Sequence, residues 1–476
     1  MSSPAPTILW LRRDLRLSDN PGWHKALEGG GSVVPVFILD PVLEQSLGIA
    51  PKWRLEQSLS ALQGDLAARG SRLILRRGPA ADVLAELVAE TGAARLVWSR
   101  QYEAAAIARD KAIKARFQTQ GLTVDSVNSS LLFEPWTVAT KTGGFFRVYT
   151  PFWKNVRDRE VGEPLPAPTS LSPLDVWPAS DQISDWQLRV GMHSGAETVA
   201  RYARVGEAAA GVRLKDFLEQ AISRYRSERD FPDRHATSGL SENLTYGEIS
   251  PRQMYAAALF AEQTLGAQGI EAEHFRKEIV WREFAYHLLF HTPEIATGNW
   301  RSEWDAFPWR DDNEDAERWR RGMTGIEMVD AAMREMYVTG TMHNRTRMLA
   351  ASFLTKHLMT HWKVGDAWFR DCLIDWDPAS NAMGWQWAAG SGPDASPYFR
   401  IFNPDTQAEK FDPRRAYRDR FIAEGRSNPH EDAMSYFASV PRTWELSPDD
   451  PYPSPIIGLG EGRARALQAY ENRARA

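Results

Sequence analysis

The period of the hydrophobic pattern changes once along this chain, and that change most constrains its fold. In the first 130 residues, short apolar runs at 8–11, 33–39, 73–75, 95–98 and 122–127 alternate with helical patterns at 51–69, 80–91 and 103–120. Short buried strands that alternate with helices pair in parallel, and the crossover helices cover both faces of the sheet. A doubly wound α/β domain is expected there. From about residue 206 the periodicity is helical, at 212–226, 251–264, 271–290, 325–338, 343–362 and 364–374. Pro251 behind Ser250 marks one helix start, with proline at the first helical position. The second half is expected to be all-α. Between the halves stand Pro164, Pro166, Pro168, Pro173 and Pro178, which suit an extended connection over the surface. The expected division is 1–130, 131–205 and 206–476. No internal repeat is found.

Composition removes several function classes. A chain of 476 residues is too long for one ordinary core. Its net charge of −5 argues against a generally basic nucleic-acid binder but leaves room for a local basic groove. Cys372 is the single cysteine, so disulfides within the chain, Cys-rich zinc sites and cysteine-held iron–sulfur clusters are excluded, and no metal is expected. No run of about 18 apolar residues occurs, so a membrane partner is not expected and the cytoplasm is the expected location. The turn after the first strand reads LRRDLRLSDNPG and lacks GxGxxG, so dinucleotide binding by the α/β domain is unsupported.

The chemistry concentrates in 341–403. Asn344, Arg345, Arg347, Asp375, Asp377 and Asn381 lie there among Trp362, Trp385 and Trp387. A plain apolar core has no use for these polar groups, because burying one without a partner costs several kcal/mol. A large, flat, polar cofactor would satisfy them. Two earlier segments fit the same ligand. TSGLS at 237–241 pairs short hydroxyls with a glycine, which lets backbone amides approach an anion, although a plain turn explains it as well. In KEIVWREF, Glu278 and Trp281 are three apart and share a helix face, which suits stacking plus hydrogen bonding; an ordinary amphipathic edge is the plain alternative.

In order along the chain, WLRRDLRLSDNP, RYRSERDFP, TSGLS, KEIVWREF, HNRTRM, DWDPASNAMGWQW and PYFRIFNP resemble the motifs of the photolyase/cryptochrome family. The resemblance spans nearly the whole chain. It implies an α/β antenna-binding domain joined by a long linker to an all-α domain that buries FAD. By motif, Tyr225, Thr237, Ser238, Gly239, Leu240 and Ser241 would hold the phosphate and ribityl region, with Gly239 standing where some members carry Arg. Asn344, Arg347, Asp375, Asp377 and Asn381 would line the ring systems. Glu278, Trp281, Asn344, Met348, Asn381 and Trp387 would act on a dimer flipped out of DNA. Trp385, Trp362 and Trp309 match the family's electron-transfer chain. Arg229, Arg282, Arg345 and Arg400 match positions that grip phosphates.

Three features turn the resemblance toward repair of cyclobutane pyrimidine dimers. Asn381 stands where plant cryptochromes carry Asp and animal ones Cys. HNRTRM keeps Asn and Met where (6-4) enzymes carry a second His. Glu278, Trp281 and Trp387 are all present. The implied activity is light-driven splitting of dimers in damaged DNA by electron transfer from reduced FAD. A blue-light receptor without repair activity is the alternative. The pattern is nearest to class I and class III enzymes and leans to class III. The family also implies an antenna chromophore, expected to be 5,10-methenyltetrahydrofolate, with Glu103 as a contact. A monomer is expected.

Overall fold

A computed structural model describes residues 4–192, 195–394 and 399–473. Five parallel strands, β1 (Thr7–Leu11), β2 (Val33–Leu39), β3 (Ile74–Arg77), β4 (Arg95–Ser99) and β5 (Thr123–Val127), form one sheet in the order β3-β2-β1-β4-β5. The register pairs Leu9 with Pro35 on one side and with Val97 on the other. Every residue of β1 and β2 is buried, as a sheet covered on both faces requires. The covering helices include α1 (Ile49–Ala67), α2 (Ala80–Thr91) and α3 (Ala104–Thr119). The doubly wound α/β fold expected from the alternating pattern is therefore present.

The segment 131–205 is less extended than its prolines suggest. It contains α4 (Tyr149–Val156), which buries Tyr149, Phe152, Trp153 and Val156. The rest crosses the α/β domain, held by pairs such as Asp19 N to Leu165 O at 2.7 Å and Asp181 N to Leu75 O at 2.9 Å.

The helical half includes α5 (Glu207–Gln220), α6 (Ser241–Tyr246), α7 (Pro251–Thr264), α8 (Gly269–His291), α9 (Glu327–Thr339), α10 (Asn344–Ser352), α11 (Trp362–Cys372), α12 (Pro378–Ala389) and α13 (Leu459–Arg473), with further short helices and turns between. Ser250 caps α7 in a reciprocal box with Gln253, behind Pro251. The helix expected over 343–362 ends early, and the next one, expected at 364–374, begins at Trp362. After α10 comes one π-turn, Phe353–His357, and Met359 then takes a left-handed φ of 57° before α11 begins. No proline or glycine marks this break, so periodicity ran straight through it.

The two halves are locked by buried polar contacts. Arg54 of α1, fully buried, reaches Glu242 at 2.8 Å and Glu248 at 2.7 Å across the boundary. Leu15 N donates to Tyr246 O at 3.1 Å. At Gly247 (φ +70°) the backbones come so close that a Cβ would stand 2.1 Å from Arg13 O. Gly247→Ala is expected to cost clearly more than the ~1–2 kcal/mol of the left-handed conformation alone, because backbone must move. Urea unfolding checks this; a loss within that range would mean that the contact relaxes freely.

Candidate functional site

A cavity of about 1340 Å³ opens in the helical half. It exceeds the ~300–1,000 Å³ of ordinary ligand sites. Its walls carry most of the residues singled out by sequence: Tyr225, Arg229, 237–241, Glu278, Trp281, Arg282, Asn344, Arg345, Arg347, Met348, Asp375, Asp377, Asn381, Trp385, Trp387 and Arg400. Trp362, Trp309 and Glu103 are not among its lining residues.

One end is a cradle. Gly239 has φ +62°, a conformation that disfavours any side chain. Arg213 of α5 donates to Gly239 O at 2.5 Å and to Glu242 at 2.7 Å, and its guanidinium lies in the direction a Cβ at 239 would take. A cation is thus supplied from another helix where the motif has lost its own. The sequence offered no signal for Arg213, which lies in an amphipathic helix.

Further in, Arg347 Nη2 meets Asp375 Oδ2 at 2.6 Å and Arg347 Nε donates to Met342 O at 2.7 Å. Of the two arginines in HNRTRM, Arg347 thus pairs with Asp375, while Arg345 turns away to Asp230 at 2.6 Å. Asp377 caps α12 by accepting from Ser380 N at 2.8 Å, and its other oxygen accepts from Tyr286 OH at 2.6 Å. Asp377 therefore shapes the wall as an N-cap.

Five buried polar atoms on these walls lack a hydrogen-bond partner among the described residues: His343 Nε2, Arg345 Nε, Asp375 Oδ1, Trp376 Nε1 and Trp385 Nε1. Gathered around one large space, they suit a polar ligand. FAD, with phosphates, hydroxyls and two flat ring systems, fits both the size and the donor–acceptor inventory.

Asn381 is held from outside the motif. Its Nδ2 donates to Asp366 Oδ1 at 2.6 Å, which leaves its Oδ1 as the acceptor. Burial pushes the Asp366 carboxyl up to about 6, against the opposing pull of Arg370 and of the Asn381 hydrogen bond. Asp366 was missed in the sequence, although a carboxylate four residues after Trp362 was there to be noticed.

On the opposite wall Glu278 contacts the Arg229 guanidinium, and His274 lies 3.8 Å from it. Trp281 stacks on Tyr149 of α4, with ring centres 3.7 Å apart and planes 8° from parallel. The linker helix thus stiffens a site residue, a role that its composition did not reveal. Asn344 Nδ2 points to Met348 Sδ at 3.8 Å, one helical turn along.

The three tryptophans differ in setting. Trp385 lines the cavity and lies so close to α11 that a Cβ at Gly365 would meet its ring at 2.0 Å. Trp362, fully buried, begins α11 and donates to Asn299 Oδ1 at 2.8 Å. His361 stands between Trp362 and Trp309, with ring centres 5.5 and 5.3 Å away. Trp385 also meets the edge of Trp319 at 6.1 Å.

Several expected contacts are otherwise engaged. Arg282 donates to Ser130 O at 2.7 Å and lies over Tyr286. With Arg229 on Glu278 and Arg345 on Asp230, three of the arginines assigned to phosphates, Arg282 included, hold internal partners. Glu103 lies 3.8 Å from Arg13 beside a cleft of about 10 Å³. Among the described residues, no cluster of three or more His, Cys, Asp or Glu is arranged for a metal, and no helix is long and apolar enough to cross a membrane.

Asp366 gives a pH prediction. Its folded value lies above the roughly 3.9 of a free carboxyl, so the folded state binds the extra proton between about 4 and 6 and loses stability as pH rises through that window. Asp366→Asn removes the charge, so its stability advantage over wild type is expected to grow from pH 4.5 to pH 7. Urea midpoints across that range measure it; a pH-independent difference would contradict the assignment.

Comparison with known proteins gives concordant matches. A family described as DNA photolyase matches residues 7–169, and one described as FAD binding domain of DNA photolyase matches residues 275–472. The chain is 46% identical to a deoxyribodipyrimidine photo-lyase of Agrobacterium fabrum over 98% of both proteins. It is 36% identical to one from Synechococcus over 95% of this chain and 94% of the other. A crystal structure of a bacterial class III photolyase from Agrobacterium tumefaciens is similar throughout. It has a TM-score of 0.91 and 44% identity, and the match covers 100% of this chain and 99% of that one.

Proposed function

The chain belongs to the DNA photolyase/cryptochrome family, and from that premise we propose that it is a deoxyribodipyrimidine photo-lyase, a carbon–carbon lyase that splits cyclobutane pyrimidine dimers in damaged DNA in a light-dependent reaction. The likeness to the Agrobacterium class III enzyme supports the class III branch. One observation carries the reading. Glu278, Trp281, Asn344, Met348, Asn381 and Trp387 converge on one cavity that has room for both a large cofactor and an extruded dinucleotide.

FAD, held by the residues of this cavity, would supply the light-driven electron transfer that the splitting of a dimer requires. The protein supplies binding, orientation and electrostatics. Arg347 and Asp375 present a paired cation and carboxylate with one carboxylate oxygen still unmatched. The cradle at 237–241, with Tyr225 and Arg213 beside it, offers backbone and cationic contacts to phosphates. Asn381, fixed by Asp366, keeps a neutral acceptor at the wall rather than a second charge. Extruding a base costs a few kcal/mol, least for a damaged and poorly paired one, which selects the lesion. Trp281 and Trp387 offer flat faces to the extruded bases, and Glu278 offers a carboxylate that Arg229 keeps in place. Arg229, Arg282, Arg345 and Arg400 remain the proposed phosphate contacts, each by exchanging the partner it holds in the absence of DNA. Trp385, Trp362 and Trp309 form the proposed route for electrons from the surface.

The functional division at 1–130, 131–205 and 206–476 is part of this proposal, as is action as a monomer in the cytoplasm on its DNA substrate. An antenna pigment, 5,10-methenyltetrahydrofolate by family resemblance, with Glu103 as a contact, is also part of the proposal.

Glu278→Gln keeps the shape and hydrogen-bonding capacity but removes the charge. Repair yield is expected to fall severalfold with FAD content unchanged; loss of FAD instead would move Glu278 from the lesion side to the cofactor side. Trp309→Phe should slow photoreduction of oxidised FAD at least tenfold, while chemically pre-reduced protein still repairs. Unchanged photoreduction would remove Trp309 from the electron route.

A further inference from the structure

Behind Trp387 lies a second, smaller cavity of about 30 Å³ that the site described above does not use. Trp387 and Arg400 line both cavities. Three cations line the small one, Arg301, Lys356 and Arg400, and no carboxylate does. In a chain of net charge −5 this is a local concentration of positive charge.

Lys356 is the unusual member. It sits in the π-turn Phe353–His357 and is 1% exposed. Its Nζ lies 3.6 Å over the Phe399 ring, and burial alone acts on it, pushing its pKa well down. Among the described residues no carboxylate or hydrogen-bond acceptor pairs with it. The C-terminal end of α12 comes near: a Cβ on Gly390 would stand 3.2 Å from Nζ. A helix terminus offers roughly half an elementary charge, which leaves much of the ammonium uncompensated. An isolated buried ammonium costs several kcal/mol. A purely structural lysine would have been served better by methionine here.

The size of the cavity bears on its occupant. A water needs ~10–15 Å³ of this kind of space, so about 30 Å³ holds two oxygen-sized groups. A phosphodiester presents two non-bridging oxygens. Resting on the functional reading above, we propose that this cavity is a phosphate subsite for the substrate strand, with Lys356 as its buried anchor and Arg301 and Arg400 as its flanks. Trp387 forms the wall it shares with the main cavity, so a phosphate seated here would fix the strand beside the base that Trp387 faces. The anchoring phosphate would supply the counter-charge that the fold withholds from Lys356.

The test is the salt dependence of binding to a dimer-containing duplex, for wild type, Lys356→Met and Arg301→Gln. Each phosphate contact contributes about −0.9 to the slope of log K against log salt. Lys356→Met is expected to make the slope shallower by about that amount, with FAD content and repair per bound lesion unchanged. Arg301→Gln, at a half-buried position, is expected to do the same and keeps the test decisive if Lys356→Met does not fold. A role limited to packing Phe399 would weaken binding without changing the slope, and wild-type slopes in both variants would overturn the proposal. So would a result in which both variants lose only the thermal protection conferred by inorganic phosphate, because the site would then hold a free anion. Failure of wild type to bind the damaged duplex at all would instead overturn the functional reading, and this inference with it.

Discussion

The buried guanidinium of Arg54 is the contact on which the site's architecture depends. It belongs to the α/β half, yet its carboxylate partners are Glu242, inside the short helix at the 237–241 cradle, and Glu248, just after that helix. Burial opposes the charge, and the two carboxylates more than offset it, so the guanidinium is held protonated. Removing one partner of such a cluster typically costs ~3–5 kcal/mol, because an uncompensated charge is left behind. The cluster fixes Ser241–Tyr246 against α1, and Tyr246 O in turn receives Leu15 N from the turn after β1. The same turn carries Arg13, 3.8 Å from Asp377 at the start of α12. Two parts of the cavity lining are therefore referenced to the end of one strand.

This arrangement separates rigidity from reactivity. Carboxylates with structural duties are committed: Asp377, on the cavity wall, caps a helix, and Glu283, outside the lining, accepts from Leu132 N and Phe133 N to hold the linker. Groups facing the space keep unmatched atoms, as Asp375 does. The cations follow the same division. Arg229 and Arg345 are parked on Glu278 and Asp230, and contact with a polyanion would have to displace those partners. Specificity for a lesion is helped by this, since undamaged DNA would not repay both the exchange and the cost of extrusion.

The sequence was readable where physics is local. Alternation gave the parallel sheet, and the polar residues set among tryptophans in 341–403 pointed to a ligand before any geometry was known. It was unreadable where contacts are non-local or lack a periodic mark. The π-turn at Phe353–His357 has no proline or glycine, and so 343–362 looked continuous. Arg213, Asp366 and Tyr149 reach the site from a surface helix, a tryptophan helix and the linker, and each is an ordinary residue in its own neighbourhood. The engagement of Arg229, Arg282 and Arg345 with internal partners was equally hidden, because a motif names a residue but not its companion.

The central claim is that the cavity joins a light-absorbing cofactor to a DNA lesion. It is tested most directly by incubating the purified, FAD-loaded and reduced protein with an oligonucleotide carrying one thymine cyclobutane dimer. Recovery of absorbance near 260 nm is then followed under blue light and in the dark. The account predicts restoration of the two thymines under light, with many turnovers per protein, and none in the dark. Binding of FAD without restoration in either condition would contradict it and leave a photoreceptor role in its place.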